Sequence, residues 1–320
     1  VEVIGLMDGW QGLLDKNYIT LDDRKVSGLL HLGGTILRTS RTNVLKNDET
    51  VALAQKNFQE LGLDGLITIG GEGTLTVAAK MNEKGMPIIG VPKTIDNDIN
   101  ETDFTFGFNT AVQIATEAID RLHTTAESHN RVMIVEVMGR HAGWIACHAG
   151  IAGGADAILA PEYDVSVEEV CEIIERRRKR GKLFSIIVVA EGAKLNYQGK
   201  SQGVTKARVD DFGRPQLGGI GQSLANAIEE HSGFEARVTV LGHVQRGGSP
   251  TAHDRILATA YGSFAARLAF NRNWGSMPAL KGNTIVAVPL FKAIEKLKTV
   301  PKEMWDCLLY TSDAADDRMR

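Results

Sequence analysis

Cysteine is scarce, with three residues in a chain of 320. Cys147, Cys171 and Cys307 have neither metal-ligand spacing nor disulfide density, which excludes a disulfide-stapled scaffold and a cysteine-built zinc module and fits a reducing cytoplasm. Net charge is nearly absent too. At −3 the chain has no general attraction for nucleic acid or an acidic membrane, so an anionic ligand must be held by local cations. One dense cationic run, Glu175-Arg176-Arg177-Arg178-Lys179-Arg180, closes an amphipathic helix. Cations there complement the negative end of the helix dipole, so the run reads as a solvated helix face and not as a nucleic acid contact. No signal peptide, membrane span, sustained repeat or low-complexity tract is visible in the chain.

What is present suits two α/β lobes, since 320 residues at 43% hydrophobic composition can bury parallel sheets. Leu63–Ile69 and Met86–Val91 are short β-branched runs stopped by Gly or Pro, with a helical stretch over 74–84 between them. Further strands are expected at Val132–Val135, Ala157–Leu159, Ile186–Val189 and Val238–Leu241, with alternating helices. A long helix is expected over 106–129, with Val112, Ala115, Ile119 and Leu122 on one face. The stretch 195–219, rich in Gly, Gln and charge, reads as a loop.

Two segments carry chemistry. Gly70-Gly71-Glu72-Gly73-Thr74 follows the first run, and Pro92-Lys93-Thr94-Ile95-Asp96-Asn97-Asp98 ends the second. Parallel sheets bind ligands beyond the carboxyl ends of their strands. Gly71 and Gly73 let backbone approach a phosphate, and Thr74 opens a helix whose free N–H groups suit an anion. Magnesium on a nucleotide needs one or two protein carboxylates, for which Glu72 and Asp98 are candidates. Asp96 is the candidate base for a hydroxyl that attacks phosphorus. A tight strand-to-helix turn and an Asx-rich turn are the bland alternatives.

These segments, with Val135-Glu136-Val137-Met138-Gly139-Arg140-His141-Ala142-Gly143 and Val240-Leu241-Gly242-His243-Val244-Gln245-Arg246-Gly247-Gly248, resemble the phosphofructokinase family over residues 1 to 305. The resemblance implies two Rossmann-like lobes of parallel sheets flanked by helices, with the active site in the cleft between them. Residues 1–107 and 245–290 would form the donor lobe, and 108–244 and 291–305 the sugar-phosphate lobe. It implies magnesium-dependent transfer of phosphate to the 1-hydroxyl of fructose 6-phosphate in cytoplasmic glycolysis. Asp96 then resembles the base, Thr94 its neighbour on the sugar and moving phosphoryl group, and Arg140 and Arg41 the charge stabilisers. Met138, Gly139 and Glu191 resemble sugar contacts, and His243 and Arg246 ligands of the 6-phosphate. Arg131 and Arg237 resemble arginines lent by a neighbouring subunit, which implies a homodimer or homotetramer. Without the family pattern, both read as solvated strand flanks.

Gly73 favours ATP as donor. Lys93 instead resembles pyrophosphate-dependent members and a mixed ATP-using subgroup, which leaves pyrophosphate as the alternative. Arg38 stands where many members have Gly. Relatives open with a strand, a Gly-Gly-Asp-x-Pro-Gly-x-Asn loop and a helix, whereas Val1-Glu2-Val3-Ile4-Gly5 resembles the second strand. On that reading the chain is truncated at its amino terminus and catalyses weakly or not at all, so a catalytically silent sugar-phosphate-binding fragment is a further alternative. Residues 306–320 lack family character and read as a non-native tail.

Overall fold

The computed structural model describes residues 1–198, the backbone of 200–202, and 217–306. Ten strands frame the site: β1 (Ile4–Leu6), β2 (Tyr18–Thr20), β3 (Leu66–Gly70), β4 (Ile88–Thr94), β5 (Val132–Val137), β6 (Ala157–Leu159), β7 (Ser185–Ala190), β8 (Ala236–Val240), β9 (Ser276–Lys281) and β10 (Thr284–Pro289). The helices that matter here are α1 (Asp48–Glu60), α2 (Glu72–Glu83), α3 (Phe108–His129), α4 (Trp144–Ala152), α5 (Val167–Lys179), α6 (Ile220–Ser232) and α7 (Ala252–Phe270).

One sheet has the order β10-β9-β4-β3, parallel except for the β9–β10 hairpin. The other has the all-parallel order β8-β5-β7-β6. All residues of β5 and β7 are buried, as a parallel sheet covered on both faces requires. Their side chains alternate between two cores. Met133, Val135, Val137, Ile186 and Val188 pack with α3 and α4, whereas Val132, Ile134, Ile187 and Val189 pack with α5 and α6. The expected α/β architecture with parallel sheets and flanking helices is the observed one.

Element boundaries differ from the sequence expectation where backbone conformation intervenes. β4 continues through Pro92, which lies opposite Gly70, and ends at Thr94. α2 starts at Glu72 because Gly71 takes an extended N-cap conformation. Gly107, at φ 98°, caps α3, so Phe106 and Gly107 form a short strand beside β4 before the helix begins. β1 pairs antiparallel with β2 and joins neither larger sheet. β3 ends its sheet, with Ile67 and Ile69 exposed. Within 195–219, Leu195–Tyr197 is a strand parallel to Val165–Ser166 and antiparallel to Lys200–Gln202, while 199 and 203–216 lie outside the described residues. Of the expected tail, Asp306 closes a helical turn and pairs with Lys302 at 2.6 Å; residues 307–320 also lie outside the described residues.

The cationic end of α5 is only partly a solvated face, which corrects the reading of 175–180. Arg177 forms a 2.8 Å ion pair with Asp156, whose other carboxylate oxygen accepts from the Ile186 N–H. Arg178 lies 4.3 Å from the Phe234 ring centroid and donates to the Asn130 carbonyl. These arginines pin the helix to the segments that lead into the amino ends of β5, β6 and β8.

Candidate active site

β3 and β4 run parallel and in register, so their carboxyl ends open on the same side. The two loops that follow touch: a Cβ on Gly71 would stand 3.3 Å from that of Thr94. The second loop is braced from within. Thr94 Oγ1 accepts from the Asp96 N–H at 3.1 Å, and Thr105 Oγ1 donates to the Thr94 carbonyl at 2.8 Å. Asn97, fully buried at φ 52°, accepts from the Thr105 N–H at 3.0 Å. Its short amide tolerates the left-handed conformation and satisfies the turn locally.

This bracing leaves chemistry free. Asp96 and Asp98 are each 8% exposed, and Oδ1 of each is buried without a hydrogen-bond partner among the described residues. Burial raises the Asp96 carboxyl above its ordinary range, against the opposing pull of Arg246, Arg140, the Thr94 hydrogen bond and Lys93. Asp98 is pushed to about 7, first by burial and then by the negative charge of Asp96, with Glu72 adding to it. The Lys93 ammonium is lowered by burial and by Arg246, with Asp96 pulling it back up. Three carboxylates, Asp96, Asp98 and Glu72, thus interact with one another and with three cations, Arg140, Arg246 and Lys93, and the two aspartates are the buried members of the set, where charge interactions are stronger than in water.

The second sheet contributes the turn after β5. Gly139 has φ 140°, and a Cβ there would lie 2.6 Å from the Ala142 carbonyl oxygen, so the turn admits no side chain at this position. Arg140 follows at φ 52°, and its N–H donates to Glu191 Oε1 at 3.2 Å. Burial raises the Glu191 carboxyl. The Glu191 N–H returns to the Val137 carbonyl at 2.8 Å, fixing the end of β7 against the end of β5. His243 and Arg246 lie in a 3₁₀ turn, Gly242–Arg246, just beyond β8; His243 and Arg246 are exposed.

The remaining sequence candidates occupy the start of α2, an irregular segment near the amino terminus and the amino ends of β5 and β8. Glu72, Gly73 and Thr74 open α2, and Glu72 Oε1 accepts from Thr76 Oγ1 at 3.3 Å. Arg41 is exposed on an irregular segment whose neighbours Ser40 and Thr42 bond to the Asp8 carbonyl and to Gln11. Arg38 takes φ 59°, in the left-handed region that favours glycine. Arg131 and Arg237 lie at the amino ends of β5 and β8, whereas Met138 and His243 follow the carboxyl ends. At about 3.3 Å per residue, a six-residue strand separates the two groups by roughly 20 Å. Both arginines pair with Glu235, Arg131 at 2.9 Å, and Arg237 also reaches Glu229 at 3.6 Å.

Sequence reasoning missed two residues that shape the cleft. Gln245, 1% exposed, accepts from the Met138 N–H at 3.3 Å and donates to the Gly242 carbonyl at 3.1 Å, joining the turns after β5 and β8. Glu162 accepts from the Gly143 N–H with both oxygens at 3.0 Å, at the start of α4. Gln245 lies inside a quoted motif, but neither residue has a local pattern that announces its distant partner.

The arrangement has named counterparts. The family model described as phosphofructokinase matches residues 1–269. The chain is 52% identical over 305 residues to ATP-dependent 6-phosphofructokinase 2 of Streptomyces coelicolor, covering 95% of this chain and 89% of that one. It is 53% identical over 308 residues to pyrophosphate–fructose 6-phosphate 1-phosphotransferase of Amycolatopsis methanolica, again covering 95% and 89%. Among solved structures, Pichia pastoris phosphofructokinase in the T-state superposes with a TM-score of 0.80 at 31% identity over 92% of this chain, which spans only 32% of that longer one. With its parallel sheets, its carboxylate loop and a match over most of its length, this chain belongs to the phosphofructokinase family.

Proposed function

We propose that the protein is a 6-phosphofructokinase, moving the γ-phosphoryl group of ATP to the 1-hydroxyl of fructose 6-phosphate to give fructose 1,6-bisphosphate. The observation that carries this reading is the free, buried Oδ1 of Asp96 in a cleft whose charge is set by Arg140, Arg246 and Lys93. A raised carboxyl suits a base that must take a proton from a sugar hydroxyl. Thr94 orients that loop, and Arg140 stabilises charge on the transferring group, with Arg41 in the same role once a donor is bound. Arginine suits this because its guanidinium stays charged and donates two parallel hydrogen bonds. Gly71, Glu72, Gly73 and Thr74 form the donor side. Met138, Gly139, Glu191, His243 and Arg246 form the sugar-phosphate side.

Glu72 and Asp98 would hold magnesium. They fit: Asp98 Oδ1 is buried and unpartnered, and its carboxyl is raised to about 7 partly by neighbouring negative charge, which a divalent cation offsets. Among the described residues no group of three or more His, Cys, Asp or Glu could hold a metal, so water and phosphate oxygens would complete the shell. When bound, the ion would neutralise charge on the donor phosphates.

Arg131 and Arg237 face away from this chain's own cleft, which supports their being lent to a neighbouring subunit in a homodimer or homotetramer. The division into 1–107 with 245–290, and 108–244 with 291–305, follows the same reading and leaves the cleft between the two sheets. A cytoplasmic location accords with buried free Cys147 and Cys171, and no described helix is long and apolar enough to cross a membrane.

Pyrophosphate is the second reading, favoured by one feature: Lys93, exposed at the end of β4 and interacting with Asp96 and Arg246, adds positive charge where a compact anionic donor would sit. An assay of fructose 1,6-bisphosphate formation with magnesium and either ATP or pyrophosphate decides. Turnover with ATP is the expected result. Turnover only with pyrophosphate would replace the donor, and binding of fructose 6-phosphate without turnover would favour a silent sugar-phosphate-binding protein.

A further inference from the structure

The segment Leu297–Val300 passes between the carboxylate loop and the start of α4, and bonds to both. Leu297 forms an antiparallel bridge with Ile99, and the Lys298 N–H donates to the Asp98 carbonyl at 2.9 Å. On the other side, Trp144 Nε1 donates to the Lys298 carbonyl at 2.8 Å. The Val300 N–H donates at 3.0 Å to Glu162, the carboxylate that also accepts from Gly143, and Tyr163 Oη donates to the Val300 carbonyl at 2.7 Å. Val300 itself is 2% exposed in the core around α3 and α4.

At the centre of this strap is a single ammonium group. Lys298 Nζ donates to Asn97 Oδ1 at 3.0 Å, the Thr102 carbonyl at 2.9 Å and the Asp103 carbonyl at 2.8 Å. All three donor positions of the ammonium are used. The group also lies 4.9 Å from the Trp144 ring centroid. Asn97 takes φ 52°, so Lys298 grips the left-handed residue of the turn between Asp96 and Asp98. Without the clamp, Asn97 Oδ1 would retain only its contacts to Thr105.

We propose that Lys298 is a positioning residue for phosphoryl transfer: its ammonium clamps the turn at 97–103, and its backbone ties that turn to α4, so that Asp96 and Asp98 keep one orientation toward the sugar-binding turn at Met138–Gly143. This rests on the phosphotransferase reading for its effect on rate, but not for its effect on the turn. A displacement of about 1 Å in reacting groups can reduce rate about a hundredfold.

The test compares the full chain with Lys298→Met, Lys298→Arg, Trp144→Phe and the exposed neighbour Lys296→Met. Trp144→Phe keeps a ring beneath the ammonium and removes only the indole bond to the strap, so it serves if Lys298→Met does not fold. Hydrogen exchange followed by mass spectrometry should show exchange at residues 97–105 faster by tenfold or more in Lys298→Met and by a smaller factor in Trp144→Phe, with β7 unchanged. Turnover should fall 10- to 100-fold in Lys298→Met with KM for fructose 6-phosphate within threefold, and Lys298→Arg should recover part of the loss. Lys296→Met should match the parent in both measurements. Unchanged exchange at 97–105 in folded variants overturns the clamp. Faster exchange with unchanged kcat overturns the positioning role. A parent that exchanges as expected but turns over no substrate refutes the phosphotransferase reading while leaving the clamp upheld.

Discussion

Replacing Asp96 by Asn separates its catalytic role from its role in the fold. The backbone bond from residue 96 to Thr94 Oγ1 does not involve the carboxyl, and Asn97 keeps its own contacts, so the loop should hold its shape. A positioned general base contributes about 10²–10⁴ in rate. At about 1.4 kcal/mol per decade, the expected barrier increase is about 3–6 kcal/mol. Stability should move the other way or not at all. The Asp96 carboxyl is raised by burial more than Arg246, Arg140, Thr94 and Lys93 lower it. For an acid whose folded pKa exceeds its unfolded value, the folded state binds more protons, and stability is lost as pH rises through the folded pKa. Above that pH the ionised carboxylate weakens the fold; an amide has no such charge to desolvate. The amide also leaves Arg140 and Arg246 facing less negative charge, but that attraction is the smaller effect here. Steady-state kinetics beside thermal unfolding at pH 8 should therefore show kcat down at least 100-fold, KM for fructose 6-phosphate within threefold and no fall in Tm. A kcat within tenfold of the parent would refute Asp96 as the base, and a Tm several degrees lower would refute the account of its burial.

Gly139→Ala should force a Cβ to within 2.6 Å of the Ala142 carbonyl oxygen at φ 140°. A strain of about 1–3 kcal/mol should appear in denaturant melts, together with weaker fructose 6-phosphate binding by calorimetry; unchanged binding would remove the turn from the sugar site. Mixing inactive Asp96→Asn subunits with an inactive Arg131→Ala/Arg237→Ala variant should restore roughly a quarter of parental activity on random pairing into dimers. No recovery in demonstrated hybrids would show that these arginines are not shared. The Cys147 thiol is pushed up to about 12 by burial and the charge of Glu162, and Cys171 is raised as well. Only thiolate attacks a disulfide reagent, so a Cys307→Ser chain should react with Ellman's reagent at pH 8 only after unfolding; prompt native reaction would contradict that burial.

The fold class was legible because its signal is local. β5 and β7 are mostly Val, Ile and Met, with Glu136 the one charged residue inside them, and such apolar runs, alternating with amphipathic helices, form parallel sheets buried on both faces. Boundaries were less legible: Gly107 starts α3 by taking positive φ, and Pro92 stays in β4, neither of which composition dictates. The clustering of Glu72, Asp96 and Asp98 was implied by short segments ending adjacent strands. The cationic end of α5 misled because a partner such as Asp156, 21 positions before Arg177, is not visible in the helix's own pattern.

By itself, then, the sequence determined which segments become strands and helices, and which short stretches carry carboxylates, glycines and arginines, since these depend on neighbours along the chain. Only the tertiary structure decided what those groups meet. Met138 is held by Gln245, 107 positions away, and Asn97 by Lys298, 201 positions away. The shift of Asp98 to about 7 likewise exists only where burial and the charges of Asp96 and Glu72 converge. Such contacts have no periodicity to reveal them. They arise because packing brings the turns after β4, β5 and β7 within electrostatic reach of one another, and the burial, charge and geometry found there belong to the packing.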